Sequence, residues 1–308
     1  MRRPHRFTDR QLLWLAAAHS ERKSRWRPQE ILSLVRDVRK MIHCESHGIE
    51  VYRFANMVRE SGLLHFISTR RGGVSGAPYQ ALNLAFHVGD SAENVRTNRQ
   101  RLLGSMGIPV ESIIAGDQVH SSNVSIVSAA VRGSGAFAQD TAVPNTDALI
   151  TEEPYTCLVV MLADCVPVML YDRRRNVIAV VHAGWRGTVA GIVTNTVHTM
   201  MEALGSRPAD ILAGIGPSIS PGRYEVGPDV LEKARCVFPG LDVIKDTGDG
   251  KGYFDLWTAN FHQLQAMSIP QKNIEVSRIC SYTHWETFYS HRRQQPTGRF
   301  AAGAMLVG

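Results

Sequence analysis

The chain has 308 residues, 44% of them hydrophobic, enough for one large α/β domain or two small ones and too apolar for a disordered polypeptide. Its formal charge of +6 is uneven: residues 1–40 hold eleven Arg and Lys against four Asp and Glu, a net +7, so the other 268 residues sum to −1. The basic balance therefore belongs to an N-terminal extension, and the main domain offers no general polyanion-binding surface, which argues against a nucleic-acid partner. Five cysteines (Cys44, Cys157, Cys165, Cys236, Cys280) lie far apart with no short repeated spacing, against a secreted disulfide scaffold and for a reducing compartment. No apolar run approaches the roughly 18 residues of a membrane span, and no signal-peptide pattern opens the chain, so the expected location is cytoplasmic, without a membrane partner.

In chain order, Thr8 and Gln11 fit a capping box ahead of Leu12, Leu13, Leu15 and Ala16, predicting a helix over 8–19. Pro28 opens a second, with Ile31, Leu32, Leu34, Val35, Val38 and Met41 at helical spacing. Segment 1–48 thus reads as a basic helical extension, best explained as a packing appendage; Asp9 and Glu21 interrupt what an organellar targeting peptide keeps free of acids. A membrane-surface or nucleic-acid role for this arm ranks below. From about residue 50 short β-rich runs closed by Gly, Pro and Asp alternate with helical patterns, marking an α/β domain over 49–308. Strands are predicted at 63–69, 147–151, 157–163, 176–182 and 210–215, and Val189, Ile192, Val193, Val197, Met201 and Leu204 mark a core-facing helix after the fourth.

Two predicted strands run into reactive side chains, one into Asp164-Cys165 and one into His182-Ala-Gly-Trp-Arg-Gly187. Strand ends are where sites collect in α/β folds. A third reactive group, His120, lies in the polar stretch Asp117-Gln-Val-His-Ser-Ser, which spacing alone does not place beside the other two. Taken singly, each has a plainer role: Cys165 as a small core residue, His182 as a strand-end histidine, His120 in a surface loop. None has the compact ligand spacing of a zinc finger. The glycine-flanked turn at His182–Thr188, between an apolar strand and a helix, offers amides to an anion such as phosphate, with Arg186 as a bidentate partner or a solvated turn residue. Further arginines cluster at Arg70-Arg71, at Arg292-Arg293 and at Arg299, far apart in sequence.

Together these motifs resemble the laccase-domain family, also called multicopper polyphenol oxidase-like or peptidoglycan editing factor proteins. The ordered match runs through Thr69-Arg-Arg-Gly-Gly-Val-Ser75, Leu82-Asn83-Leu84, His87-Val-Gly-Asp90, Asn98-Arg99, Gln118-Val-His120, Thr146-Asp-Ala148, Ala163-Asp-Cys-Val-Pro167, His182-Ala-Gly-Trp-Arg-Gly187, Gly214-Ile-Gly-Pro217, Phe288-Tyr-Ser-His-Arg-Arg293 and Thr297-Gly-Arg299. It covers about residues 52–308. The resemblance implies a layered α/β/β/α single domain shared with certain cysteine-dependent hydrolases, and a zinc held by His120, Cys165 and His182, which double as the catalytic set. It further implies cytosolic action on purine nucleosides: phosphorolysis of adenosine, inosine and S-methyl-5′-thioadenosine, a transferase reaction, and hydrolytic deamination of adenosine. Ser218 and Ser281 depart from the cysteine and threonine common in the family at those places, and neither is a predicted ligand.

Three protein ligands leave a fourth zinc position open, as in catalytic rather than structural sites. Arg70, Arg186 and Arg292 are the predicted phosphate donors, with Asn83 and Asp164 completing the substrate-binding set; Asp164 fits an acid/base role and the capping of nearby amides equally. A second reading takes Cys165 as a thiolate nucleophile and His182 as its base, giving an amide or peptide hydrolase in peptidoglycan precursor editing. Copper oxidation of phenols ranks below both, since the chain has no His-x-His pair for a multicopper cluster.

Overall fold

The computed structural model describes residues 41–308; the helices predicted over 8–19 and from Pro28 lie outside them. The first sheet collects β1 (Ile42–Ser46), β2 (Ile49–Arg53), β3 (Leu63–Ser68), β4 (Ile113–Ala115), β7 (Cys157–Leu162) and β15 (Phe300–Leu306) in the order β1-β2-β3-β15-β7-β4. The second collects β5 (Val124–Ile126), β6 (Ala148–Thr151), β8 (Val166–Asp172), β9 (Val177–Ala183), β10 (Ile211–Ile215) and β14 (Ile274–Val276) in the order β14-β10-β8-β9-β6-β5. A small sheet of β11 (Glu225–Val226), β12 (Ile244–Asp246) and β13 (Gly252–Phe254) lies beside it in the chain. Helices are α1 (Ala92–Gly104), α2 (Trp185–Val189), α3 (Ile192–Leu204), α4 (Pro228–Val237) and α5 (Leu256–Ala266). Strand β1, within segment 1–48, pairs antiparallel with β2 and so belongs to the first sheet.

Side-chain alternation along the strands sets the layers. In β7, Leu158, Val160 and Leu162 face the second sheet, where they meet Met169, Tyr171, Ile178 and Val180. The intervening Cys157, Val159 and Met161 pack with Leu102 and Leu103 of α1. In β9, Val177, Ala179 and Val181 turn to the other side, against Ile192, Val193, Val197 and Met200 of α3 and Leu256, Ala259 and Leu264 of α5. Both faces of both sheets are therefore covered, which explains why these strands read as unbroken apolar runs rather than alternating ones. The result is an α/β/β/α layering with its central core between the sheets.

The five predicted strands correspond to β3, β6, β7, β9 and β10 within about one residue at each end. The helix predicted from Val189 is broken in two, the short α2 and then α3, separated by Ala190 and Gly191. Strand β8 escaped the pattern because Pro167 sits at its second position; proline is tolerated there, near the strand start, while its carbonyl still accepts from Gly216 N–H at 2.9 Å. Strand β15 is masked by its small residues, Ala301-Ala-Gly-Ala304. Their size is required: a Cβ on Gly303 would meet the Phe66 ring at 2.5 Å.

Leu158 is fully buried between the sheets. Replacing it with alanine removes about three methylene-sized groups from a two-sided core and should cost about 2–5 kcal/mol in denaturant unfolding; an unchanged midpoint would show that the sheets are not tightly packed there.

Candidate functional site

The three predicted ligands meet at one end of the inter-sheet core, two of them on crossings between the sheets and the third near the end of a strand. The segment from Gly116 to Asn123 leaves β4 in the first sheet and enters β5 in the second, carrying His120. Along it the Gln118 side chain acts as a strand backbone would, donating from Nε2 to Met161 O at 2.9 Å and accepting Met161 N–H at 2.7 Å, so the segment stays stitched to β7. Cys165 lies in the turn from β7 to β8, again a passage between sheets. His182 is the penultimate residue of β9, opposite Pro167, on the face that looks into the inter-sheet core.

The ligand atoms of His120, Cys165 and His182 all lie within 4.8 Å of one another, the one such cluster of three or more His, Cys, Asp or Glu groups among the described residues. Cys165 Sγ is 3.9 Å from His120 Nε2, and the two imidazoles meet edge-on with centroids 4.8 Å apart. A tetrahedral zinc with Zn–S about 2.3 Å and Zn–N about 2.0 Å sets sulfur and nitrogen roughly 3.5 Å apart, so the donor set, one soft thiolate and two imidazoles, fits that ion in kind and nearly in spacing. Gly184 makes the approach possible: a Cβ there would lie 3.0 Å from His120 Cδ2 and 3.1 Å from Cys165 Sγ.

Behind the histidines stands Asp147, fully buried just ahead of β6, which in the sequence shows only as one letter of Thr-Asp-Ala. Its Oδ1 accepts from His182 Nδ1 at 2.8 Å and from His120 N–H at 3.0 Å, while Oδ2 accepts from Val119 N–H at 3.2 Å and from both the N–H and hydroxyl of Ser121 at 2.7 Å. Binding Nδ1 leaves His182 Nε2 free for the cluster. Burial opposes ionisation of Asp147, but the bonds from His182 and Ser121 outweigh it and its carboxyl is held below the ordinary range. Burial likewise would raise the Cys165 thiol, yet the facing His182 and His120 bring it down to about 6. His182 is driven the other way: burial would lower it, and Cys165 with Asp147 raises it.

Asp164 occupies a left-handed conformation (φ 85°) just before Cys165 and uses both carboxylate oxygens locally, accepting from the Ser281 hydroxyl at 2.7 Å and Arg292 N–H at 2.6 Å. That is the amide-capping role, and Ser281 keeps the hydroxyl that a threonine would supply. Arg292 thereby enters the site, donating from Nη1 to Glu225 O at 2.9 Å and lying 5.1 Å from the centre of the Tyr224 ring. Burial pushes the Tyr224 hydroxyl up, and Cys165 pushes it further. Arg186 stacks on Trp185 at 4.5 Å, directly after Gly184. Arg70 stacks on Tyr289 at 4.5 Å and spends Nε and Nη1 on the carbonyls of Gln80 and Trp285. Asn83 is fully buried; its oxygen accepts Arg299 N–H at 2.9 Å and its amide donates to Asp90 and Ala85 O, so it anchors the segment that carries Arg299 into β15. Arg299 feels the charges of Cys165 and Asp164, which oppose the lowering that burial imposes on it. Its adjacency to the centre could have been guessed from Thr-Gly-Arg, but only the fold shows it.

The family model described as multi-copper polyphenol oxidoreductase laccase matches residues 64–307. The chain belongs to this family. A purine nucleoside phosphorylase of Bacteroides thetaiotaomicron is 39% identical over 250 residues, 80% of this chain and 92% of that one. The purine nucleoside phosphorylase YlmD of Geobacillus stearothermophilus is 36% identical over 79% of this chain and 89% of its own. The crystal structure of YlmD from the same species superposes with a TM-score of 0.82 at 33% identity, covering 88% of this chain and all of that one. That of Bacillus licheniformis YfiH gives 0.80 at 32%, covering 85% and 97%. No helix among the described residues is long and apolar enough to cross a membrane.

Two outcomes test this laccase-domain site. Gly184→Ala should displace His120 and lower metal retention at least several-fold while the thermal melt of the metal-free protein stays near wild type; full retention would mean the crowding is relieved elsewhere. In metal-free protein the Cys165 thiol, lowered to about 6 from an ordinary 9.0, ionises as pH rises through that lower value. Iodoacetamide labelling of Cys165, followed by peptide mass mapping, should therefore already be near its plateau at pH 7.5, whereas a rate still climbing through pH 9 would contradict the thiolate.

Proposed function

We propose that this protein is a zinc-dependent purine nucleoside enzyme that cleaves adenosine, inosine and S-methyl-5′-thioadenosine with phosphate and also deaminates adenosine. The observation that carries this reading is the convergence of His120, Cys165 and His182 within 4.8 Å, in a chain whose relatives over most of its length are named purine nucleoside phosphorylases. Zinc is favoured over copper because the chain lacks a His-x-His pair and the site offers one three-ligand cluster among the described residues.

His120, Cys165 and His182 would hold the metal, which supplies a Lewis acid with one position open to substrate or water. Asp147 keeps the proton on His182 Nδ1, so that Nε2 presents its lone pair. Arg186 and Arg292 would receive phosphate, each pre-oriented by an aromatic ring and Arg292 also by the Glu225 carbonyl. Arg299 joins them by position, and Arg70 contributes what its two carbonyl bonds leave free. Asn83 and Asp164 act on substrate through the segments they hold, those of Arg299 and Arg292.

One observation favours a second reading: Cys165, His182 and Asp147 line up as nucleophile, base and orienting carboxylate, the arrangement of a cysteine-dependent amide or peptide hydrolase, including one acting on peptidoglycan precursors. Purified protein separates the two. Equimolar zinc that is lost in Cys165→Ala, with phosphate-dependent adenine release from adenosine on chromatography and inosine formed without phosphate, is the expected result. Metal-free protein that turns over amides and is inactivated by a substrate-like electrophile at Cys165 would overturn it.

A further inference from the structure

We infer that Asp147 is the positioning residue of the metal centre, one carboxylate that sets the tautomer and aim of His182 and the backbone that presents His120. This rests on the metal-binding reading above and deepens it. The strand register puts the residue where both arms can be reached. Ala148 pairs with Val181 on β9 and with Val124 on β5, so one step earlier Asp147 faces His182 on one side and the incoming 117–123 segment on the other. Its backbone confirms both neighbours, with His182 N–H donating to Asp147 O at 2.8 Å and Asp147 N–H donating to Asn123 O at 3.3 Å.

The His120 segment has a reason to need this support. His120 sits at φ 60°, a left-handed conformation unfavourable for a residue with a Cβ, which persists only where its surroundings over-determine it. Three successive amides, Val119, His120 and Ser121, converge on the Asp147 carboxylate, and the Ser121 hydroxyl adds a fourth donor. A buried carboxylate with five donors is fully satisfied, and the curl that satisfies it also fixes His120. Without the carboxylate the segment would lose the partner for its amides and His182 would lose the acceptor that selects its Nε2 lone pair.

The isosteric Asp147→Asn separates these duties, because an amide has one acceptor. With nitrogen replacing Oδ2 it faces the Val119 and Ser121 N–H groups donor to donor; with nitrogen replacing Oδ1 it opposes both His182 Nδ1–H and His120 N–H. Either orientation disorders one arm, and loss of such an outer partner weakens metal binding by about 10–100-fold. The readout is zinc affinity by chelator competition on full-length metal-free protein, with circular dichroism and thermal melting as fold controls and the thiolate absorption of the cobalt form as a report of ligand geometry. The expected result is a folded Asp147→Asn protein whose zinc dissociation constant rises by about 10–100-fold, with a shifted cobalt spectrum. Ser121→Ala removes a single hydroxyl donor and should weaken zinc by a few-fold; it carries the test if Asp147→Asn does not fold. Zinc affinity and cobalt spectrum equal to wild type in a folded variant would overturn the inference. Wild-type protein that takes up no stoichiometric zinc would instead overturn the metal-binding reading, and this inference with it.

Discussion

The site depends on one buried anion. Asp147 has no solvent to stabilise its charge, so the protein must provide donors, and it draws them from two elements that would otherwise be independent: the end of β9 and the crossing from β4 to β5. Burying a carboxylate is costly unless it is fully hydrogen-bonded, which makes the arrangement nearly all-or-none. The geometry of the two histidines follows from satisfying that charge and not from their own sequence neighbours. Cys165 is placed by a parallel device, since Asp164 spends its two oxygens on Ser281 and Arg292 and so fixes the turn on which the thiol stands.

The layering explains why His120, Cys165 and His182, separated by long stretches of chain, meet at all. Two sheets packed face to face bury their shared core, but at one end the chain must pass between them, at the 116–123 segment and at the turn after β7. Such passages are short, polar and held by side chains acting as backbone, as Gln118 does against Met161. His182, on a strand whose alternate residues fill the inter-sheet core, emerges at the same end.

How much of this could be read from the amino-acid order varies with the physics behind each feature. Strands buried on both faces, such as β7 and β9, announce themselves as continuous apolar runs, whereas β15 is built from small residues that yield room to Phe66 and carries almost no β signal. The glycine-flanked turn after His182 does lie between an apolar strand and a helix, but that helix, α2, ends after five residues and α3 follows beyond Ala190 and Gly191. His120, Cys165 and His182 stand out in the sequence as reactive groups, but their spacings carry no metal signature, because two lie on separate crossings and the third near the end of a strand; only the ordered family motifs point to them as a set. Asp147 was invisible as chemistry since its role exists only through partners 26 and 35 residues away in sequence.

The same three side chains could hold a metal or act as a cysteine nucleophile, and both possibilities turn on the protons of Cys165 and His182. In metal-free protein the lowered Cys165 and raised His182 form a thiolate–imidazolium pair, with His182 brought to about 9. A metal would compete with the imidazolium proton for His182 Nε2, and the nucleophilic pair would be the state of the site without metal. Asp147 would serve either state, holding His182 Nδ1 in place while Nε2 carries a proton or a metal.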